Sequence, residues 1–286
     1  MKRYRDIAGD GGSDVVGQVE AQQQRLAGRL RDVRAIVAVV SGKGGVGKSS
    51  VTANLAGAFA RGGLRVGVLD ADLNGPSMAK MLGVRGRTLV VGAAGVEPPI
   101  GALGIRVMSM DLLLADDATP LTWEAPTQAE AHTWRGAMEA NALREFLADT
   151  AWGVLDVLLI DLPPGTDRLA TVAGLLPTLA GTVVVTIPSD VSRLVVRKSI
   201  TVAQGVTAPI LGVIDNMVGM FPGPGGETLA RDAGVPFLGS VPFDPALAAA
   251  ADRGEPYVDT APDTPAARAL TTIADRVAEA LFAPRS

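Results

Sequence analysis

The 286-residue chain contains no cysteine, which excludes disulfides, thiolate metal sites and cysteine nucleophiles. Histidine is nearly absent: His132 stands alone beside Trp134-Arg135-Gly136 and reads as a structural or surface residue. No charge of one sign dominates. A net charge of −4 and an isoelectric point near 5.1 give no overall pull toward nucleic acid or an anionic membrane, so any such contact has to be local. An unbroken bilayer-spanning run is missing too. Leu169 to Ser189 is uncharged, but Gly174, Pro177 and Gly181 divide it into a helix and a Val-rich strand. The polar start, Met1 to Asp6, leads into no apolar segment of the kind a secretory signal needs, and the expectation is a soluble cytoplasmic protein.

What the chain has is a large apolar share, 48%, and one stretch around which the rest is organised. Ala35 to Val40 reads as a strand, Val51 to Ala60 as a helix, and between them lies Ser41-Gly42-Lys43-Gly44-Gly45-Val46-Gly47-Lys48-Ser49. Gly42 to Ser49 matches G-x-x-x-x-G-K-[ST] in the strand-to-helix setting that pattern requires. Its glycines let successive backbone N–H groups curl around an anion, and the helix N-terminus adds free donors and the positive end of its dipole. Lys48 is then placed for the β- and γ-phosphates of a nucleotide and Ser49 for Mg²⁺.

Further along, apolar strands alternate with helices. Leu64–Leu69 precedes Met78–Leu82, and Arg135–Thr150 precedes the strand Leu155–Ile160. Thr182–Ile187 pairs with Val191–Gln204, Ile210–Ile214 with 227–233, Phe237–Val241 with Pro245–Ala251, and Thr264–Phe282 closes the chain. Residues 85–105 read as short hairpins, Ile105–Met110 as a strand and Asp111–Gln128 as a long loop. The alternation predicts an α/β fold: a mostly parallel, doubly wound sheet with helices on both faces. Residues 1–34 are set apart as an N-terminal helical extension, with 35–286 as the phosphate-loop domain.

Ligands of such sheets sit at the carboxyl ends of the strands. Asp161 and Asp70 arrive there as candidate Mg²⁺ ligands, and Asp72, on the following turn, is better placed to orient an attacking water. A strand-end aspartate is often a mere turn former. Three beside a phosphate loop argue for chemistry.

The loop's extra lysine, Lys43, resembles the deviant phosphate loop of the ParA, MinD, Mrp and nitrogenase iron-protein ATPases, in which the first lysine crosses a dimer interface. With Leu69-Asp70-Ala71-Asp72, Gly75-Pro76-Ser77, Trp134-Arg135-Gly136, Asp161-Leu162-Pro163-Pro164-Gly165-Thr166, Asp215-Asn216-Met217 and Phe237 to Pro242 in order, the chain resembles the Mrp (ApbC-like) ATPases from about Ala35 to its end. The resemblance implies ATP and Mg²⁺ as cofactors and a homodimer. It implies nucleotide contacts from Gly42, Gly44, Gly45, Val46, Gly47, Lys48, Ser49 and Ser50, with Asn216 reading adenine and Pro242 nearby. Ser49, Asp70 and Asp161 are implied at the metal, and Lys43, Lys48 and Asp72 in catalysis.

One departure is sharp. The family usually carries C-x-x-C after its Asn-Met, where a dimer holds a bridging iron-sulfur cluster; here Val218 to Gly226 holds no thiolate. No cluster is expected. The reading is an ATP-dependent switch that binds and releases an unidentified protein client, with residues 221–226 and the first helix as contact surfaces. Three alternatives stay open: a cluster carrier using an associated protein, a positioning ATPase acting on DNA or membrane, and a nucleotide-binding subunit with little turnover.

Overall fold

The computed structural model describes residues 15–113, 128–165, 168–176, 178–205, 209–223 and 225–283. Within these, the main sheet has seven strands. In chain order they are β1 (Val33–Ser41), β2 (Val66–Asp70), β5 (Arg106–Met108), β6 (Leu155–Asp161), β7 (Gly181–Thr186), β8 (Ile210–Val218) and β9 (Phe237–Pro242). They lie in the order β5-β2-β6-β1-β7-β8-β9, and every pairing is parallel. A separate antiparallel hairpin joins β3 (Val90–Gly92) to β4 (Gly95–Glu97), one pair within the stretch expected to form hairpins.

Helices cover both faces, as the unbroken apolar strands require. On β1, Val37 and Val39 point into one core and Ile36, Ala38 and Val40 into the other. The first core is closed by α2 (Lys48–Arg61), with Leu55 and Phe59, and by α10 (Pro265–Phe282), with Leu270, Ile273 and Val277. α10 starts on a Thr264 cap whose hydroxyl accepts from the Ala267 N–H, with proline at its first position. The second core receives Leu143 and Leu147 of α4 (Gln128–Asp149), then Leu169 and Val172 of α5 (Arg168–Leu175).

α1 (Val15–Leu30) packs on α4 and sends Leu26 and Leu30 into that second core. Arg25 pairs with Asp149 at 2.8 Å, and Arg29 Nε donates to the Ala148 carbonyl at 2.9 Å. The expected boundary at 34/35 falls inside β1, and α1 completes the core on that face.

The remaining helices are α3 (Met78–Met81), α6 (Asp190–Gly205), α7 (Gly226–Ala233), α8 (Ala246–Arg253) and α9 (Tyr257–Thr260). Two differences from the sequence reading bear on the site. β8 runs to Val218, past the expected end at Ile214, so Asn216 lies within the strand, and α4 begins at Gln128, ahead of the expected Arg135. The expected loop at 111–128 lies outside the described residues beyond Leu113, as do the side chains of His132, Trp134 and Arg135. No described helix is long and apolar enough to cross a membrane.

Candidate functional site

β1 sits at the point where the strand order reverses, with β6 on one side and β7 on the other. The loop leaving its carboxyl end therefore opens into the crevice where doubly wound sheets take ligands. Gly45 and Gly47 adopt φ of +78° and +76°, a region that costs a side-chain-bearing residue strain. Gly47 is also crowded: a Cβ there would lie 2.4 Å from Asn216 Nδ2. Asn216 is buried in β8 and donates from Nδ2 to the Val46 carbonyl at 2.8 Å, fixing the loop's path.

Lys48 and Ser49, at the start of α2, converge on Asp161 at the end of β6. Lys48 Nζ lies 2.6 Å from Asp161 Oδ2, and the Ser49 hydroxyl donates to the same oxygen at 2.7 Å. Thr52 Oγ1 is 2.6 Å from Asp161 Oδ1, so both carboxylate oxygens are held by the helix that follows the glycine loop. The backbone N–H of Leu162 donates to Val39 O and that of Gly165 to Ser41 O, both at 3.1 Å, which staples the loop after Asp161 to β1.

Asp70 is differently employed. It is fully buried opposite Asp161, but its Oδ2 accepts from the backbone N–H of Ser77 at 2.8 Å, that of Met78 at 2.9 Å and the Ser109 hydroxyl at 3.1 Å. Burial first, then the charge of Asp161, pushes its carboxyl up to about 7, against the pull of the Met78 and Ser77 amides. Asp72 is half-buried on the turn. Its N–H donates to Asp70 Oδ1 at 3.2 Å, and its own Oδ1 accepts from Gly75 N at 3.1 Å. Lys43 is half-buried and, among the described residues, its side chain has no partner, while its carbonyl accepts from the Ser41 hydroxyl at 3.0 Å.

Beyond the loop opens a mostly apolar cavity of about 310 Å³, with Gly47, Ser50, Asn216, Met217, Pro242 and Asp244 in its wall. Its size falls in the usual range for small-molecule sites, about 300–1,000 Å³. A polar amide at one edge of an apolar slot suits a flat heterocycle with donors and acceptors on its rim.

The structure thus brings together Lys48, Ser49 and Asp161, and separately Gly47, Val46, Asn216, Ser50 and Pro242. It leaves Asp70 serving the turn into α3 and the Lys43 side chain without a partner among the described residues. Two site residues escaped the sequence reading. Thr52 was findable, since it lies one helical turn beyond Lys48 on the same face. Asp244, which accepts from the Tyr257 hydroxyl at 2.7 Å, carried no motif.

Among the described residues no three histidine, cysteine or acidic side chains gather as a metal centre. The hydroxyl–carboxylate pair Ser49–Asp161 still fits Mg²⁺, which is commonly held by one or two protein oxygens together with substrate phosphates.

A parallel sheet with a glycine loop at its switch point, the loop's lysine and hydroxyl set against a strand-end aspartate, defines a P-loop NTPase of the MinD/ParA type. The family model described as NUBPL iron-transfer P-loop NTPase, of the ParA group, matches residues 32–278, and the chain belongs to that family. It is 45% identical over 245 residues to an iron-sulfur cluster carrier protein of Saccharolobus solfataricus, covering 82% of this chain and 79% of that one. It is 40% identical over 269 residues to the human cytosolic Fe-S cluster assembly factor NUBP2, covering 88% and 95%. A nucleotide-binding protein of Archaeoglobus fulgidus, solved in complex with ADP, superposes with a TM-score of 0.68 at 36% identity, covering 82% and 92%. The cell division ATPase MinD of Pyrococcus furiosus, at 23% identity and a TM-score of 0.64 over 86% and 99%, shares the fold.

Proposed function

We propose that the chain is a Mg²⁺-dependent ATP hydrolase that works as a cytoplasmic homodimeric switch, binding and releasing a protein client according to the nucleotide it holds. The observation that carries the reading is the contact set on Asp161: one buried carboxylate oxygen within 2.6 Å of Lys48 Nζ and 2.7 Å of the Ser49 hydroxyl, at the mouth of the glycine loop. A triphosphate entering along the loop draws Lys48 from Asp161 to its β- and γ-oxygens. Ser49 and Asp161 are then the oxygens that hold Mg²⁺, whose contribution is to neutralise charge on the phosphates. Asn216 reads the adenine edge, while Pro242 borders the base slot. Asp72 orients the water, and Lys43, whose side chain has no partner among the described residues, reaches the nucleotide of the second copy.

The relatives' names point to iron-sulfur work, and a chain without cysteine takes part in it as a switch and not through thiolates of its own. Those names also favour a second reading, cluster carriage on the thiolates of an associated protein. The client surface we propose is the exposed rim formed by Met220, Phe221 and Phe243, joined where Phe243 N donates to Val218 O at 2.9 Å, together with the polar face of α1.

The test is capture on a tagged Asp72→Ala chain with ATP, compared with Lys48→Ala, which cannot hold the phosphates. A specific protein enriched on the first alone supports the switch. Enrichment of DNA or membrane on it, or no nucleotide-dependent partner, overturns the client reading.

A further inference from the structure

One buried carboxylate outside the nucleotide contacts holds both strand-end loops to a single helix. Glu139 of α4 is only 7% exposed. Its Oε1 accepts from Asn74 Nδ2 at 2.9 Å, and its Oε2 pairs with Arg168 Nη1 at 2.5 Å. Asn74 lies two residues beyond Asp72, on the turn after β2. Arg168 opens α5, the helix that follows the Asp161 loop. The three polar groups border a cleft of about 30 Å³ whose other walls include Ala71, Leu73, Leu143 and Leu162. That is room for about one water and not for a ligand.

We propose that Glu139 is a positioning residue that couples the loop after β2 to the loop after β6, so that the two respond together to the γ-phosphate. The inference rests on the nucleotide-switch reading and goes beyond it by naming the joint. The reason is geometric and electrostatic. Glu139 offers one oxygen to the loop after β2 and the other to the first residue of α5, the helix that the loop after β6 leads into, and a buried charge stripped of a partner is strongly penalised. If either loop shifts alone, the carboxylate loses a partner in a pocket lined by leucine; if both shift with α4, it loses none. A buried ion pair is weak grounds for stability, because apolar side chains of similar size often replace one without loss. The C-terminal end of α4 is bound to α1 through Asp149 and Ala148, so the joint leads from the nucleotide crevice to the proposed client face.

Glu139→Gln keeps the shape and an acceptor for Asn74 but turns its amide on Arg168. With Mg²⁺ and a non-hydrolysable ATP analogue, affinity should stay within about twofold, while turnover at saturating ATP falls about tenfold with little change in KM. The exchanged pair Glu139→Arg with Arg168→Glu should recover to within about threefold of the original turnover, since the Asn74 amide can accept as well as donate. A second readout needs neither nucleotide nor turnover. In the nucleotide-free chain, Arg168→Gln should speed amide hydrogen exchange in residues 72–78, although Arg168 makes no hydrogen bond to that turn. Unchanged turnover in Glu139→Gln, a loss of turnover matched by a loss of affinity that the exchanged pair leaves in place, or unaltered exchange in residues 72–78 would each overturn the coupling. A wild-type chain that fails to hydrolyse ATP would sink the ATPase reading instead, and the exchange measurement would still judge the joint.

Discussion

Asp70 and Asp161 stand opposite each other in the register of adjacent parallel strands, both fully buried, yet only Asp161 is paired with the lysine of the glycine loop. Two carboxyl groups with nearly the same address thus have different employment. Asp161 engages Lys48, Ser49 and Thr52, while Asp70 anchors the amides of Ser77 and Met78.

Their asparagine variants should separate accordingly. Asp161→Asn should lose turnover by about 10²-fold or more, because the charge facing Lys48 and the proposed Mg²⁺ position is gone. Asp70→Asn presents an amide where three donors converge and should lose about 1–3 kcal/mol of stability in urea unfolding. An Asp70→Asn chain of unaltered stability whose Mg²⁺ dependence is shifted would favour Asp70 as a metal ligand.

Lys43 gives the second contrast. Lys43→Ala should bind ATP through Lys48 and lose about 10³- to 10⁵-fold in hydrolysis, the range seen when a cationic finger is withdrawn from phosphoryl transfer. Turnover and nucleotide titration on the same preparation decide it; undiminished hydrolysis would remove the trans-acting lysine.

Anaerobic reconstitution with iron and sulfide should leave the purified chain without a stoichiometric cluster, because the chain has no thiolate and one histidine. Visible absorption and bound-iron analysis provide the check, and a cluster retained by the isolated protein would contradict the switch reading in favour of direct carriage.

Acid should weaken one specific clamp. Asp156 accepts from Arg65 Nε at 2.9 Å, from Nη2 at 3.0 Å and from the Arg65 N–H at 2.9 Å, and the guanidinium's hydrogen bonding pulls its carboxyl from 3.8 down to about 2. A lowered folded-state value stabilises the native chain above the ordinary carboxylate range, and this contribution fades as pH falls from about 4 toward 2. Wild type should therefore exceed Asp156→Asn in urea midpoint at neutral pH, with the gap closing over that interval. A gap that persists to pH 2 would rule the clamp out as its source.

The sheet, its parallel character and the trio Lys48, Ser49 and Asp161 were legible because each depends on short-range signals: apolar runs, a glycine spacing and a strand end. Asn216 was legible as a candidate amide at the strand ends, but its hold on Val46 spans 170 residues of chain and leaves no local trace. The same holds for Glu139, whose partners lie 65 residues before it in one direction and on another helix in the other. Asp70 read as a metal ligand from its strand-end place, and its hydrogen bonds to Ser77, Met78 and Ser109 left no local trace in the sequence. The turn that follows β2 folds its own amides back onto that carboxylate, a contact that only the folded chain reveals.

β6 lies between β1 and β2, although β1 and β2 are consecutive in the sheet's share of the first seventy residues. In the finished sheet, the strand that carries the glycine loop and the strand that ends at Asp70 do not pair with each other. Each must keep an open edge until Leu155–Asp161 has left the ribosome. At about 5–20 residues per second this leaves apolar edges waiting for several seconds, a period in which a nascent chain is exposed to mispairing and to chaperones. The same strand delivers Asp161, so Lys48 gains its counter-charge only when the gap is filled. Nucleotide capture by ribosome-bound chains of increasing length would consequently begin only after β6 has emerged, which makes binding competence a clock for the closing of the sheet.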